Sequence, residues 1–553
     1  MGEQRGPMGL ADRVQAYAED RSERDAVIHV RGEHERRITY GELALRARRL
    51  ASWLGRRGAA GRRVVIAAED GPVMAVAMLG CLLAGAVAVP VPPPSASRAA
   101  AQRTAAIVKD AAARLALTER AYAAELTQSL SLAGFGGIEC LALDDRVPRA
   151  DGTPPPAPRT GPKDPALLQY TSGSTSVPRG VIVTHGNLAA TMESVREAIG
   201  TDADSRVGGC LPLHHDLGLI GQLLHPLWLG ATAVLMPPAL LVRDPVRWLE
   251  EIGRLGVTDT AAPDSMYARC AALVTEERLA GLDLSRWRTA VNAAEPASGA
   301  TLREFARVFA PAGLDPAALA VGYGLAEATL LVAVSAPGEA LRRAAGRAPV
   351  SCGTPRGVEV HIVDPDSRAP VPDGGVGEIW VRGPAVAAGY WNRPLESADT
   401  YGRRTAAGEG GFLRTGDLGV LSAGELVVTG RLKDVMLVEG ASVHPHDVER
   451  ALLGNGRPFA SAAVFAVSEP PVPDRVVVVQ EVRHDRLATP DLLATTVRRS
   501  MTEEFGVTPD EVLLVRPGTV RRTTSGKIRR TTMRTLYLRD ELRPLYVSGR
   551  SRG

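Results

Sequence analysis

The chain has 553 residues, 45% hydrophobic and 23% charged, which is too long for one core, so two or more domains are expected. A net charge of +3 gives no ground for nucleic-acid binding or attachment to an anionic membrane. Five dispersed cysteines, at 81, 140, 210, 270 and 352, lack metal-ligand spacing and fit a reducing, cytoplasmic compartment without a disulfide framework.

Lysine occurs only at 109, 163, 433 and 527 among 65 lysine and arginine residues. Where charge alone is wanted this chain uses arginine, so a retained lysine marks a chemical requirement. Met1 to Leu10 has no charged stretch leading into an apolar core, and no signal peptide is read there. Helical periodicity runs from Tyr40 to Trp53, followed by a strand at Val64–Ala67. Val73 to Val91 is apolar over nearly the length of a bilayer span. Gly80 and Gly85 interrupt it and prolines 90 and 92 to 94 end it, which fits a buried helix (Val73–Ala84) and a strand (Ala86–Val91) instead. Asp151 to Pro162 (DGTPPPAPRTGP) reads as an extended connector.

The apolar run Ala166 to Tyr170 then stops at Thr171, Ser172, Gly173, Ser174 and Thr175, where every side chain is absent or a short hydroxyl. Such a loop lets backbone N–H groups and hydroxyls converge on phosphate oxygens. Arg179 adds a cation before the β-branched run Val181 to Thr184. No Gly-Lys-Ser/Thr closes the loop, so it is not a Walker A motif. Helix and strand signals alternate afterwards at Leu188–Ala198, Ala231–Met236, Pro245–Leu255 and Leu302–Phe309, the pattern of an α/β fold with a mostly parallel sheet. Val358 to Val381 changes to short strands with turns, a small antiparallel sheet or barrel, and mixed α and β return from Lys433 onward.

Further motifs lie on this frame. Leu211 to Gly221 (LPLHHDLGLIG) sets His215 and Asp216 before a Gly-Leu-Ile-Gly run; adjacent metal ligands rarely face one ion, and polar residues at a strand end are the plainer reading. Asn292 to Pro296 (NAAEP) and Gly322 to Leu330 (GYGLAEATL) follow; the latter lacks the third glycine of a dinucleotide fingerprint and has Glu327 instead. Leu413 to Leu418 (LRTGDL) puts Asp417 after a turn, where a carboxylate can accept from two hydroxyls, and Gly430 to Asp434 (GRLKD) follows. Val520 to Arg530 (VRRTTSGKIRR) holds Lys527 in a basic segment whose arginines read as a solvated face.

Taken in order from the hydroxyl loop onward, these motifs resemble the adenylate-forming superfamily of acyl-CoA synthetases, peptide-synthetase adenylation domains and luciferases, most of all its fatty-acyl-AMP ligases. The resemblance implies an α/β fold: a large N-terminal domain (1–432) of two doubly wound subdomains with a small β-barrel-like unit, and a smaller mobile α+β domain (433–553). It implies that ATP binds at Thr171 to Thr175 with Arg179, at Ala294, Glu295 and Pro296, on the ring of Tyr323 beside Gly324, and at Asp417 and Arg431 for the ribose. Glu327 would hold Mg²⁺, Lys527 would be catalytic, and Lys433 the hinge. His215 and Asp216 would line the acid site, His215 also acting in catalysis, with Asp264, Met266 and Leu325. The implied reaction joins a carboxylic acid to AMP with release of pyrophosphate, then passes the acyl group to the phosphopantetheine thiol of an acyl carrier protein or of coenzyme A, with no nucleic acid or membrane involved.

The chain also departs from the family's pattern. Arg179 stands where a lysine is usual, keeping the charge but not the compact ammonium. Only Leu331 to Val350 separate the YGLAE segment from the next Ser-Cys-Gly, where fatty-acyl-AMP ligases carry a long insertion that disfavours coenzyme A. Asp264, Ser265, Met266 and Tyr267 replace the usual Asn-Phe-Ala-Tyr. A pocket-facing Asp264 would meet water or a polar group on the substrate and favour a hydroxy, amino or aryl acid, or even nitrite activated beside an arylamine. The alternatives are therefore an acyl-CoA ligase, a ligase for such a polar acid, and a catalytically silent nucleotide-binding or carrier-docking protein.

Overall fold

The computed structural model describes residues 8–549 apart from 96–97, 144–159, 172–177, 344–349, 439–440, 454–458, 470–471, 484–488 and 523–527. The described residues group into two compact units. The larger holds those up to 415 with Val420–Val428, and the smaller holds Gly416–Gly419 and those from 429 onward. The connector at 151–162 lies outside the described residues as far as 159.

Two parallel sheets dominate the larger unit. The first runs, in spatial order, Leu331–Val334, Leu319–Gly324, Thr289–Asn292, Asp259–Ala262, Arg206–Gly209, Thr232–Leu235, Asp25–Arg31 and His34–Thr39. Its interior pairs are parallel, and an antiparallel pair closes each edge. The second runs Glu139–Ala142, Leu115–Thr118, Arg63–Ala67, Val87–Pro90, Pro165–Thr171 and Arg179–Thr184, parallel except for the last pair. Strands buried on both faces need continuous apolar runs, and Val64 to Ala67, Val87 to Val89 and Ala166 to Leu168 are all buried.

The long apolar stretch folds as helix Gly71–Leu83 and strand Val87–Pro90. Asp70 caps the helix, its side chain accepting from Val73 N, and Pro72 sits in the first turn, where a missing N–H costs nothing. Nearly every residue of the helix is buried. A Cβ on Gly80 would stand 2.6 Å from Leu50 Cδ2, so glycine is what lets helix Tyr40–Arg56 approach so closely. Among the described residues no helix is long and apolar enough to cross a membrane.

A four-stranded sheet of Glu359–Val363, Val376–Arg382, Leu413–Ser422 and Glu425–Arg431 occupies the region read as a small sheet or barrel. In the smaller unit Phe459–Glu469, Val472–Val482, Glu511–Val515 and Tyr546–Gly549 form one mixed sheet. Helices Pro445–Leu453 and Pro490–Phe505 share an apolar core with it. The five cysteines are free thiols, four of them buried.

Candidate active site

The apolar runs on either side of the hydroxyl-rich stretch form strands, as read from sequence. Strand Pro165–Thr171 pairs antiparallel with Arg179–Thr184, in a register that sets Thr171 opposite Arg179. Ser172, Gly173, Ser174 and Thr175 lie outside the described residues. Arg103 Nη2 donates to the Thr171 carbonyl at 3.0 Å, bringing a second arginine to the end of that strand. Arg179 lies 3.6 Å from Glu396 and with its guanidinium carbon 5.0 Å from the ring centre of Tyr390.

The His-Asp segment differs from its plainest reading. Asp216 starts an eight-residue π-helix, Leu217–Leu224, its carboxylate accepting from Leu217 N at 2.7 Å. Such wide turns are rare and occur mostly where function demands them. Gly218 is required there, since a Cβ would meet the Pro212 carbonyl at 2.3 Å. The rings of His214 and His215 lie 4.5 Å apart. Burial pushes the pKa of His214 well below its ordinary value and so favours the neutral imidazole. A Cβ on Gly221 would stand 3.6 Å from Leu330 Cδ2, so this segment and the YGLAE segment are packed neighbours.

The NAAEP and YGLAE segments each hold a strained residue. Ala294 has φ 69°, and Thr329 has φ 65° with ψ −52°. The latter forms a γ-turn in which Leu330 N donates to the Ala328 carbonyl at 2.7 Å. Left-handed backbone at non-glycine residues costs energy and concentrates at ligand sites. Gly324 admits no side chain, because a Cβ would fall 1.7 Å from the Leu330 carbonyl. Tyr323, next to last in the strand Leu319–Gly324, is half-buried, and Pro296 lies in the loop after strand Thr289–Asn292. Glu295 accepts from Ser265 N at 2.9 Å.

Glu327 stands in the short turn Ala326–Ala328, one oxygen accepting from the Tyr390 hydroxyl at 2.9 Å. Among the described residues its other oxygen has no hydrogen-bond partner. One anchored and one available oxygen on a part-buried carboxylate suit Mg²⁺, which takes one or two carboxylates and completes its shell with phosphate and water. Tyr390 belongs to no motif read from the sequence and comes into the site through its fold.

Asp264 is part-buried, and its carboxylate is held by protein donors. Oδ1 accepts from Asn292 Nδ2 at 2.7 Å and Ser298 N at 2.9 Å, and Oδ2 from Thr301 Oγ1 at 3.0 Å. Burial pushes its pKa up, and these three donors oppose the shift. It ties helix Asp264–Leu273 to the start of helix Gly299–Phe309. Asp264→Asn would turn an amide donor toward one of those donors; we expect a loss of about 1–3 kcal/mol in stability with no change in the ranking of acids. Thermal unfolding and a pyrophosphate-release panel check both halves. Met266, on the same helix, is buried in the core that Leu325 packs against.

In the smaller unit Arg431 Nε lies 3.0 Å from Asp417 Oδ1, so the two residues assigned to the ribose are paired. Lys433 is exposed in the turn Leu432–Asp434. Lys527 lies outside the described residues, between flanks that are paired: Arg522 bridges Ile528, and Arg529 N donates to the Arg521 carbonyl at 2.8 Å.

Comparison with known proteins finds relatives over most of the chain. A family model described as AMP-binding enzyme matches residues 14–391. The chain is 37% identical to the medium-chain-fatty-acid–[acyl-carrier-protein] ligase JamA of Moorena producens, over 91% of this chain and 90% of that protein. It is 33% identical to a 4-hydroxyphenylalkanoate adenylyltransferase of Mycobacterium tuberculosis, over 91% and 87%. A fatty acyl-adenylate ligase of Legionella pneumophila, solved with acyl adenylate and pyrophosphate, superposes with a TM-score of 0.74 at 31% identity, covering 98% of each chain.

Proposed function

This chain belongs to the AMP-binding enzyme family and is an ATP-dependent, AMP-forming ligase, and we propose that it activates an unsubstituted fatty acid and passes it to an acyl carrier protein. The carrying observation is similarity over nine-tenths of the chain to a medium-chain-fatty-acid–[acyl-carrier-protein] ligase. The protein donors around Asp264 support an apolar acid over a hydroxy, amino or aryl one, since they take up the polar group on which the second reading rested.

In the first half-reaction a carboxylate oxygen bonds to the α-phosphorus of ATP, the bond from that phosphorus to the bridging oxygen breaks, and pyrophosphate leaves with the electron pair. Both partners are anionic, so catalysis rests on charge neutralisation and in-line placement. Thr171 and the hydroxyl loop after it cradle phosphates, Arg179 and Lys527 supply positive charge, and His215 and Asp216 border the acid. Tyr323 and Gly324, with Ala294 to Pro296, hold the base, and Asp417 and Arg431 the ribose. Mg²⁺ held by Glu327 would neutralise phosphate charge. In the second half-reaction the thiol sulfur bonds to the acyl carbon, AMP leaves, and the thiol proton passes to solvent. We place this chemistry in the cytoplasm, which suits five free thiols.

The test is carboxylate-dependent exchange of labelled pyrophosphate into ATP across fatty, hydroxy, amino and aryl acids, followed by transfer to a carrier protein or to coenzyme A. Exchange with none of the acids would favour a silent nucleotide-binding protein. Preference for coenzyme A would favour the acyl-CoA ligase, a reading the short segment from Leu331 to Val350 keeps in play.

We further propose that residues 433–553 rotate about Lys433 between the half-reactions. Lys433→Pro fixes φ at the hinge. Adenylation is expected to survive, while thiol transfer falls by about tenfold or more. Separate assays of the halves check this, and equal losses would argue against a hinge.

A further inference from the structure

Residues 387–391 are stitched to two parts of the site at once. Ala387 N donates to the Glu327 carbonyl at 2.9 Å, and Ala388 N to the Ile182 carbonyl at 3.0 Å. Ile182 N donates to the Gly389 carbonyl at 2.9 Å, and Trp391 N to the Gly180 carbonyl at 2.8 Å. The segment thus runs along the strand that Arg179 opens and touches the turn that carries Glu327. Tyr390 lies at its centre, bridged to Val181 and only 6% exposed.

The side chain makes the same two connections. Its hydroxyl donates to Glu327 Oε1 at 2.9 Å, and its ring lies 5.0 Å from the Arg179 guanidinium carbon. Tyr401 packs edge-on against that ring at 5.3 Å, and Glu396 pairs with Arg179 at 3.6 Å. A planar guanidinium can lie over a ring and pair with a carboxylate together, whereas a lysine ammonium is a compact, strongly hydrated point charge. The arginine that replaces the usual lysine therefore has a seat built for its shape.

We infer that Tyr390 is a positioning residue for adenylation: its hydroxyl turns one oxygen of Glu327 inward and leaves the other for a divalent cation, while its ring holds the Arg179 guanidinium at the start of strand Arg179–Thr184. This rests on the proposed role of Glu327 and Arg179 in binding ATP. The two functions separate by substitution. Phenylalanine removes the hydroxyl and keeps the ring; leucine removes both.

The experiment uses the full chain with a non-hydrolysable α,β-methylene analogue of ATP. Free Mn²⁺ is read by electron paramagnetic resonance, and metal-free nucleotide affinity by calorimetry. Tyr390→Phe is expected to weaken Mn²⁺ binding about tenfold, the usual effect of losing a hydrogen bond to a metal ligand, with metal-free affinity unchanged. Arg179→Lys should weaken analogue binding in the wild-type background and add little in the Tyr390→Leu background, a non-additive cycle. Mn²⁺ affinity within about twofold of wild type in Tyr390→Phe would overturn the inference for Glu327. Additive effects of Arg179→Lys would overturn it for Arg179. If Tyr390→Leu does not fold, the Tyr390→Phe measurement decides the hydroxyl's role, and Arg179→Lys made in Tyr390→Phe, where the ring remains, must still weaken analogue binding. Failure of the enzyme assignment shows separately, as absence of pyrophosphate exchange in the wild type.

Discussion

Lys527→Ala is expected to slow acyl-adenylate formation by roughly 10²–10³-fold, the usual effect of removing one preorganised charge aimed at a transition state, while nucleotide affinity stays within a few-fold. The expectation begins with usage: only four lysines remain in a chain rich in arginine, and one follows Ser525-Gly526. It gains support from the flanks. Arg522 bridges Ile528, Arg522 Nη2 donates to Ser461 Oγ at 2.9 Å, and Val520 N donates to Glu481 at 2.8 Å. The residues on either side of 523–527 are thus fastened to the sheet of the smaller unit. Single-turnover quench measurements of acyl-adenylate check the prediction, with Arg521→Ala as a control. A near wild-type rate in Lys527→Ala would remove the lysine from the mechanism.

What could be read from the chain alone depended on whether the cause was local. Helix Pro245–Leu255 has the bounds its sequence announces, because its signals lie beside it. Asp244 caps it by accepting from Arg247 N, and Gly256 ends it at φ 58°. The break in the long apolar run is local in the same way. The π-helix Leu217–Leu224 was not legible, since its apolar residues fit an ordinary helix or a buried strand equally and Gly218 acts through a contact with Pro212. The setting of Asp264 is not legible locally, because its donors come from Asn292, Ser298 and Thr301. Tyr390 was missed for the same reason, as Glu327 and Arg179 are remote from it in sequence and meet it only in the fold. The first strand, Asp25–Arg31, likewise finds its parallel partner at Thr232–Leu235, a pairing no local pattern could announce.

Arg530→Met is expected to destabilise the smaller unit by about 3–5 kcal/mol, because it leaves a buried carboxylate without its counter-charge. Arg530 opens helix Arg530–Leu538. Its Nε and Nη2 donate to the two oxygens of Glu449 at 2.8 and 2.6 Å, and its Nη1 to Asp434 at 2.8 Å. Glu449 is 3% exposed and also accepts from Val464 N at 3.0 Å. Asp434→Asn should cost only about 1 kcal/mol, since Glu449 keeps its arginine. Arg530→Met with Glu449→Leu should recover most of the loss, since an apolar pair replaces a desolvated ionic one. The six tryptophans, at 53, 228, 248, 287, 380 and 391, all lie in the larger unit, so their fluorescence does not report on this change. Hydrogen exchange along Val472–Val482 and Glu511–Val515 does: protection should fall in the single variant and return in the double, while the larger unit's tryptophan unfolding stays unchanged. Equal protection in all three proteins would mean that the pair contributes nothing to holding the smaller unit together.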